Sequence, residues 1–173
     1  MYHGPIVSLE QILESREQRA AKQREWVETH SLPLISFTIN MVGSIKKNHI
    51  AKVAFEQGLK AIVNGCVRNN MAVMKMELVE AATGYETLLA VDSNDIHKLK
   101  KMTVQIEDGH PMGRLFDIDV IRLDGRPISR TTIKHPTRRC LVCEQDARTC
   151  MRLRSHSTSQ LVQKMEELVN ACQ

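Results

Sequence analysis

Aromatic side chains are nearly missing from this sequence: three phenylalanines, two tyrosines and one tryptophan make up 3% of its 173 residues. A surface that stacks unpaired bases needs more of them, so the scarcity counts against a nucleic-acid-binding module. Long apolar runs are missing too, and none approaches the roughly 20 residues of a membrane-crossing helix. Met1 to Pro5 carry neither the basic region nor the apolar stretch of a secretory leader. There is no internal repeat and no low-complexity segment. With 42% hydrophobic and 25% charged residues, the composition is that of a folded soluble chain, not a disordered one. Neither sign of charge dominates: 24 basic residues against 20 acidic ones leave a net charge of +4. That bias suits a polyphosphate ligand and is weak for a nucleic-acid protein. Five cysteines, an odd number without a leader before them, fit a reducing compartment. The expectation is a cytoplasmic protein with no membrane and no nucleic-acid partner.

What is present is an alternation of helical and strand periodicities, with nine methionines available to fill gaps between aliphatic side chains. Ser8-Leu-Glu-Gln11 reads as a capping box opening a helix. Leu9, Ile12, Leu13, Ala20, Trp26 and Val27 form its apolar stripe, and Arg16, Arg19, Lys22 and Arg24 its polar face. Leu34 to Val42 alternates Ile35, Phe37, Ile39 and Met41 against Ser36, Thr38 and Asn40, the period of a half-buried strand. A helix is expected over His49 to Val63, weakened by Gly58. Met71 to Ala81 and Tyr85 to Val91 read as paired strands. Asp92 or Ser93 would then cap a helix that ends at Gly109. Leu115 to Leu123 reads as a fourth strand. Asp124-Gly125 is a hairpin signal that would return Pro127 to Ile133 as a fifth. Ser157 caps a last helix whose apolar face is Leu161, Met165, Leu168 and Cys172. Together these predict an α+β fold, a mainly antiparallel sheet of about five strands flanked by helices. Residues 1–173 are read as one domain, with 138–173 its Cys/Arg-rich helical C-terminal segment.

Chemistry concentrates between His110 and Val120. Asp117 and Asp119 are two apart on a strand, so both carboxylates project from one face while Phe116, Ile118 and Val120 point the other way. Adjacent carboxylates repel unless a cation lies between them, and Mg²⁺ would resolve that while binding phosphate oxygens. Gly113 would allow close backbone approach, and Arg114 offers a forked donor to phosphate. A solvated face of an edge strand accounts equally well for the pair. His110 reads either as a ligand contact or as an ordinary surface or capping histidine.

Three other groups stand out. Cys140, Cys143, Cys150 and His156 supply a donor set suited to zinc, although only the first pair has a common knuckle spacing. Reduced, partly buried thiols beside a helix-capping histidine are the alternative. Arg138, Arg139, Arg148, Arg152 and Arg154 form either a docking face for anions or a solvated one. Asn40, Gly43, Ser44 and Lys46 follow a strand, where a loop can cradle phosphate through its N–H groups or be an ordinary turn. Cys66 and Cys172 read as apolar helix positions.

The run HPMGRLFDIDVIRLDGRPISR, from His110 to Arg130, resembles the central signature of the CitX family, the apo-citrate lyase phosphoribosyl-dephospho-CoA transferases. Other segments match in the same order. Ser15 to Ala20 with Gln23 is similar to the family's Arg-Glu-x-Arg helix. Asn40-Met-Val-Gly43 with Lys46 is similar to Asn-x-Pro-Gly-x-x-Lys, with Val42 where proline is usual. Arg138 to Cys143, Cys150-Met-Arg152 and Ser155-His156-Ser157 resemble the family's tail. The resemblance implies transfer of a phosphoribosyl-dephospho-CoA unit from 2′-(5″-triphosphoribosyl)-3′-dephospho-CoA. The acceptor it implies is a serine of the citrate lyase acyl carrier protein, the gamma subunit, and diphosphate leaves. The residues read above fit that reaction, Asp117 and Asp119 as metal-holding catalytic residues and Arg114 and Lys46 neutralising diphosphate, with Arg16 and Arg19 as weaker candidates for the same role. Arg16, Arg19, Asn40, Gly43, Gly113 and His110 are then substrate-binding candidates. The strand-borne Asp-x-Asp is also similar to nucleotidyltransferase-like folds, but those place a Gly-Ser about ten residues upstream, and Gly113 is four before Asp117. Two rival functions remain at this level, a zinc-stabilised nucleic-acid-binding module and a non-catalytic assembly factor for a carrier protein.

Overall fold

The computed structural model describes residues 2–173. The capping box at Ser8 is formed in both directions and opens α1, Leu9–His30. The chain continues through β1 (Leu34–Ile39), α2 (His49–Arg68), β2 (Ala72–Ala81), β3 (Gly84–Asp92), α3 (Ile96–Gly109) and β4 (Phe116–Ile121). It ends with α4 (Ala147–Leu153) and α5 (Thr158–Asn170). The four strands form one antiparallel sheet in the order β2-β3-β1-β4, so β2 and β4 are its edges.

Alternation along the strands gives the sheet two different faces. On one, Ile35, Phe37, Leu89, Phe116, Ile118 and Val120 pack with residues of α2, α3 and α5 as the main core. All three phenylalanines gather here: Phe37 stacks on Phe55 and meets Phe116 edge-on, with ring centroids 5.3 and 5.5 Å apart. The scarce aromatics are thus spent directly beneath β1 and β4, the strands that carry the aspartates. On the other face, Trp26 and Val27 of α1 pack on Leu34, Leu88, Ala90 and Ile121. Farther along that face the sheet turns polar, with Ser36 opposite Asp119 and Thr38 opposite Asp117.

Several expectations are corrected. The fifth strand does not form: the Asp124-Gly125 turn is made, but pairing stops at one bridge between Ile121 and Pro127. Arg130–Ile133 is a 3-10 turn. The β4 edge is already occupied, because Glu107 takes the Ile118 N–H and Arg138 donates to the Phe116 carbonyl. The apolar stripe of α1 is buried only at its far end. Leu9 and Leu13 are 71% and 47% exposed, the supposed polar face supplies Arg19 and Lys22 to Glu86 and Glu77, and Gln23 donates to Ser36. A polar sheet surface selects polar partners, so the helix rotates its apolar N-terminal residues outward. Asp95, not Asp92 or Ser93, caps α3. The short helix α4, capped by Asp146, had no apolar periodicity to reveal it. On α5 the buried positions are Met165 and Val169, while Cys172 is exposed and Cys66 on α2 is buried as expected.

Candidate active site

Asp117 and Asp119 project from edge strand β4 into a cleft of ≈1290 Å³, also lined by Asn40, Gly43, Lys100, Glu107 and Arg114 and by residues of the C-terminal segment. The Thr38 hydroxyl donates to Asp117 Oδ2 at 3.5 Å. Asp119 is open to the cleft, yet protein crowds it on its flanks. That burial, reinforced by the Asp117 charge, pushes its carboxyl up to about 6. The crowding of negative charge at Asp119 is what a divalent cation would relieve, so the pair fits a hard ion such as Mg²⁺.

Positive charge surrounds the pair. Arg114 lies in the cleft wall, where burial and then Arg138 disfavour its charge, and its Nη2 is buried without a hydrogen-bond partner among the described residues. An anion would satisfy it. Arg148 and Arg154 line the cleft and form no ion pair among the described residues. Arg130 and Arg138 are already engaged. Arg130 pairs with Glu107 and Asp108, and Arg138 donates to the carbonyls of Gly113, Arg114 and Phe116.

Lys100, which nothing in the sequence pattern singles out at first reading, also lines the cleft. It is 5% exposed on α3, and burial pulls its ammonium below the usual lysine range against the attraction of Glu107 and Asp119. Its signal was a second stripe on α3, Lys100, Thr103 and Glu107, all buried and spaced as one helix face beside the apolar one.

The remaining candidates fall in different places. Asn40 and Gly43 line the cleft, and Gly43 holds φ 68° where a Cβ would come within 2.9 Å of the Tyr2 hydroxyl. Lys46 does not line it: its Nζ donates to the Met41 carbonyl and fastens the loop from within. Arg19 is paired with Glu86 at 3.0 Å on the α1 face, and Arg16 sits near Lys46, both outside the cleft. Gly113 is buried, and a Cβ there would strike the Glu107 carbonyl at 2.1 Å. Its missing side chain therefore serves packing between α3 and the turn. His110 caps α3 outside the cleft, its ring tilted at 42° against Phe116, with Nδ1 accepting the Met112 N–H at 3.0 Å. Burial lowers its pKa.

At the other wall, Cys140, Cys143, Cys150 and His156 converge. Their four ligand atoms lie within 4.8 Å of one another, a group able to hold a metal ion. Cys140, Cys150 and His156 also line the cleft.

An α+β chain thus places two carboxylates and several cations around one large cleft. The family model described as "CitX: Apo-citrate lyase phosphoribosyl-dephospho-CoA transferase" matches residues 7–172. A relative from Vibrio cholerae serotype O1 (strain M66-2), named probable apo-citrate lyase phosphoribosyl-dephospho-CoA transferase, is 41% identical over 172 residues, covering 98% of this chain and 97% of the relative. Relatives of the same activity name from Shigella boydii serotype 18 and Escherichia coli O157:H7 are 35% identical over 164 residues, covering 95% of this chain and 89% of theirs. The chain belongs to the CitX family and is a transferase enzyme. No helix among the described residues is long and apolar enough to cross a membrane.

Proposed function

We propose that this enzyme moves a phosphoribosyl-dephospho-CoA unit from 2′-(5″-triphosphoribosyl)-3′-dephospho-CoA to a serine of the citrate lyase acyl carrier protein, its gamma subunit, in the cytoplasm. The observation that carries the reading is the Asp117–Asp119 pair in a cleft whose Arg114 has a buried, unpartnered nitrogen. The serine oxygen attacks the phosphorus nearest the ribose. The bond from that phosphorus to the bridging oxygen breaks, and diphosphate leaves with the electron pair. One of the two carboxylates receives the serine proton. Arg114 and Lys100 face the charge gathering on the diphosphate. When bound by Asp117 and Asp119, Mg²⁺ would neutralise phosphate charge and align the reacting oxygens. Three thiols and an imidazole suit zinc instead, so the two metal-binding groups would take different ions. Asn40 and Gly43 support the reading as lining residues. Lys46 and Arg16 would act through the loop and its local charge, not by direct contact.

Apo carrier protein incubated with the donor and Mg²⁺ should gain the mass of the prosthetic group only when the enzyme is present. Asp117→Asn should abolish that gain in a folded protein. Normal turnover by this variant would overturn the assignment. Carrier binding without any mass gain by the wild type would leave an assembly factor.

A further inference from the structure

From Lys134 to Ser157 the only buried residues are Cys140 and Cys150. This segment has no hydrophobic core of its own: Met151 and Leu153 of α4 are largely exposed, and the backbone is joined by one bridge between Arg139 and Asp146. Seven residues of α4 cannot hold themselves helical in water without tertiary support. Leu141 packs on the main core and Arg138 binds three carbonyls, and a cross-link would fasten the rest of the segment.

We propose that Cys140, Cys143, Cys150 and His156 form a closed structural zinc centre that builds the arginine-bearing wall of the cleft. Cys143 Sγ lies 3.4 Å from both Cys150 Sγ and His156 Nε2, and all four ligand atoms lie within 4.8 Å of one another. Zinc bonds of about 2.0–2.3 Å give tetrahedral edges of about 3.5–3.8 Å, so four donors close on the ion with a small contraction. With four protein ligands no position is open for a substrate, which makes the centre structural and not catalytic. The Val142 N–H already points at Cys140 Sγ at 3.4 Å, the backbone support that a thiolate ligand requires. The four ligands come from three places in the chain. Cys140 and Cys143 lie on the bridged loop, Cys150 on α4, and His156 immediately before the Ser157 cap of α5. Binding one ion therefore fastens loop to helix to helix. It also holds Arg138, two residues before Cys140, against the Gly113, Arg114 and Phe116 carbonyls at the foot of the aspartate strand.

The centre can be tested without the transfer reaction. Full-length protein, expressed without a polyhistidine tag and purified without chelator, should contain about one zinc per chain by elemental analysis. Cobalt put in its place should show the intense visible bands of a tetrahedral thiolate site. Cys143→Ser should lose the metal, and Cys172→Ser should keep it. If Cys143→Ser does not fold, the wild type still decides. Stripping it with a strong chelator should leave its main thermal transition in place while trypsin cuts at Arg148, Arg152 or Arg154 roughly tenfold faster, and added zinc should restore protection. Protein that carries no metal and takes up neither zinc nor cobalt would overturn the proposal. So would a tail equally protected after chelation, or a Cys143–Cys150 disulfide in protein whose thiols were trapped at lysis.

Discussion

Glu107 of α3 accepts the backbone N–H of Ile118, the residue between the two aspartates, at 2.9 Å. One buried carboxylate thereby does what a neighbouring strand would do at the β4 edge, and its second oxygen takes Arg130. Glu107 and Arg130 are 4% and 10% exposed, so removing Glu107 leaves the buried Arg130 charge to its half-exposed partner Asp108. Glu107→Ala should cost about 3–5 kcal/mol of stability in urea denaturation. Glu107→Gln keeps an acceptor for Ile118 and should cost less. Equal losses in the two variants would show that the strand-edge bond contributes nothing.

Lys100 should be a residue the fold would do better without. Burial lowers its pKa, so the folded state disfavours its charge across the neutral range, and the penalty is present below the folded pKa and gone only above the usual lysine value. Lys100→Met should raise the thermal midpoint while lowering transfer by roughly 10²-fold, the effect of losing one charge-stabilising donor. A variant with full activity would remove Lys100 from the site.

Asp119 gives a pH signature opposite to that of most carboxylates. Its carboxyl is pushed up to about 6 from an ordinary value of 3.8, so the folded state binds its proton more tightly than the unfolded state does. The stability it contributes is complete below about 3.8 and disappears as pH rises through about 6. Without added magnesium, the stability of wild type relative to Asp119→Asn should therefore fall between those pH values and stay level above them. A difference that is constant with pH would show that Asp119 is not perturbed.

The parts of this protein that were legible in the sequence are those with a local cause. Ser8 and Ser157 head capping boxes, and β1 and β4 alternate as strands facing a core must. The Asp117–Asp119 pair follows from that alternation alone. What could not be read depends on residues distant in the chain. Glu107 and Arg138 occupy the β4 edge and prevent a fifth strand, although Asp124-Gly125 forms the expected turn. Arg19 and Lys22 turn inward because Glu86 and Glu77 wait on the sheet, which pairing along α1 cannot reveal. Gly113 against the Glu107 carbonyl and Lys46 on the Met41 carbonyl could not be read either, because glycine and lysine carry the same letters whether they meet a phosphate or a carbonyl.

Gly58 shows the same limit with an opposite sign for stability. In the middle of a helix a glycine weakens it by about 1 kcal/mol relative to alanine, so propensity alone expects Gly58→Ala to stabilise. In the structure a Cβ at this position would lie 2.3 Å from Phe37 Cζ and 3.1 Å from Phe116 Cε1. Those two rings meet edge-on in the main core, and Phe37 is also stacked on Phe55, so neither can retreat without disturbing a second contact. Overpacking of a full core costs about 1–3 kcal/mol, which exceeds the propensity gain. Gly58→Ala should therefore lower stability in urea denaturation. Because Phe37 and Phe116 lie on β1 and β4, it should also lower transfer activity by displacing the strand that carries Asp117. A stabilised variant would mean that the phenylalanine cluster yields easily and that helix propensity governs this position.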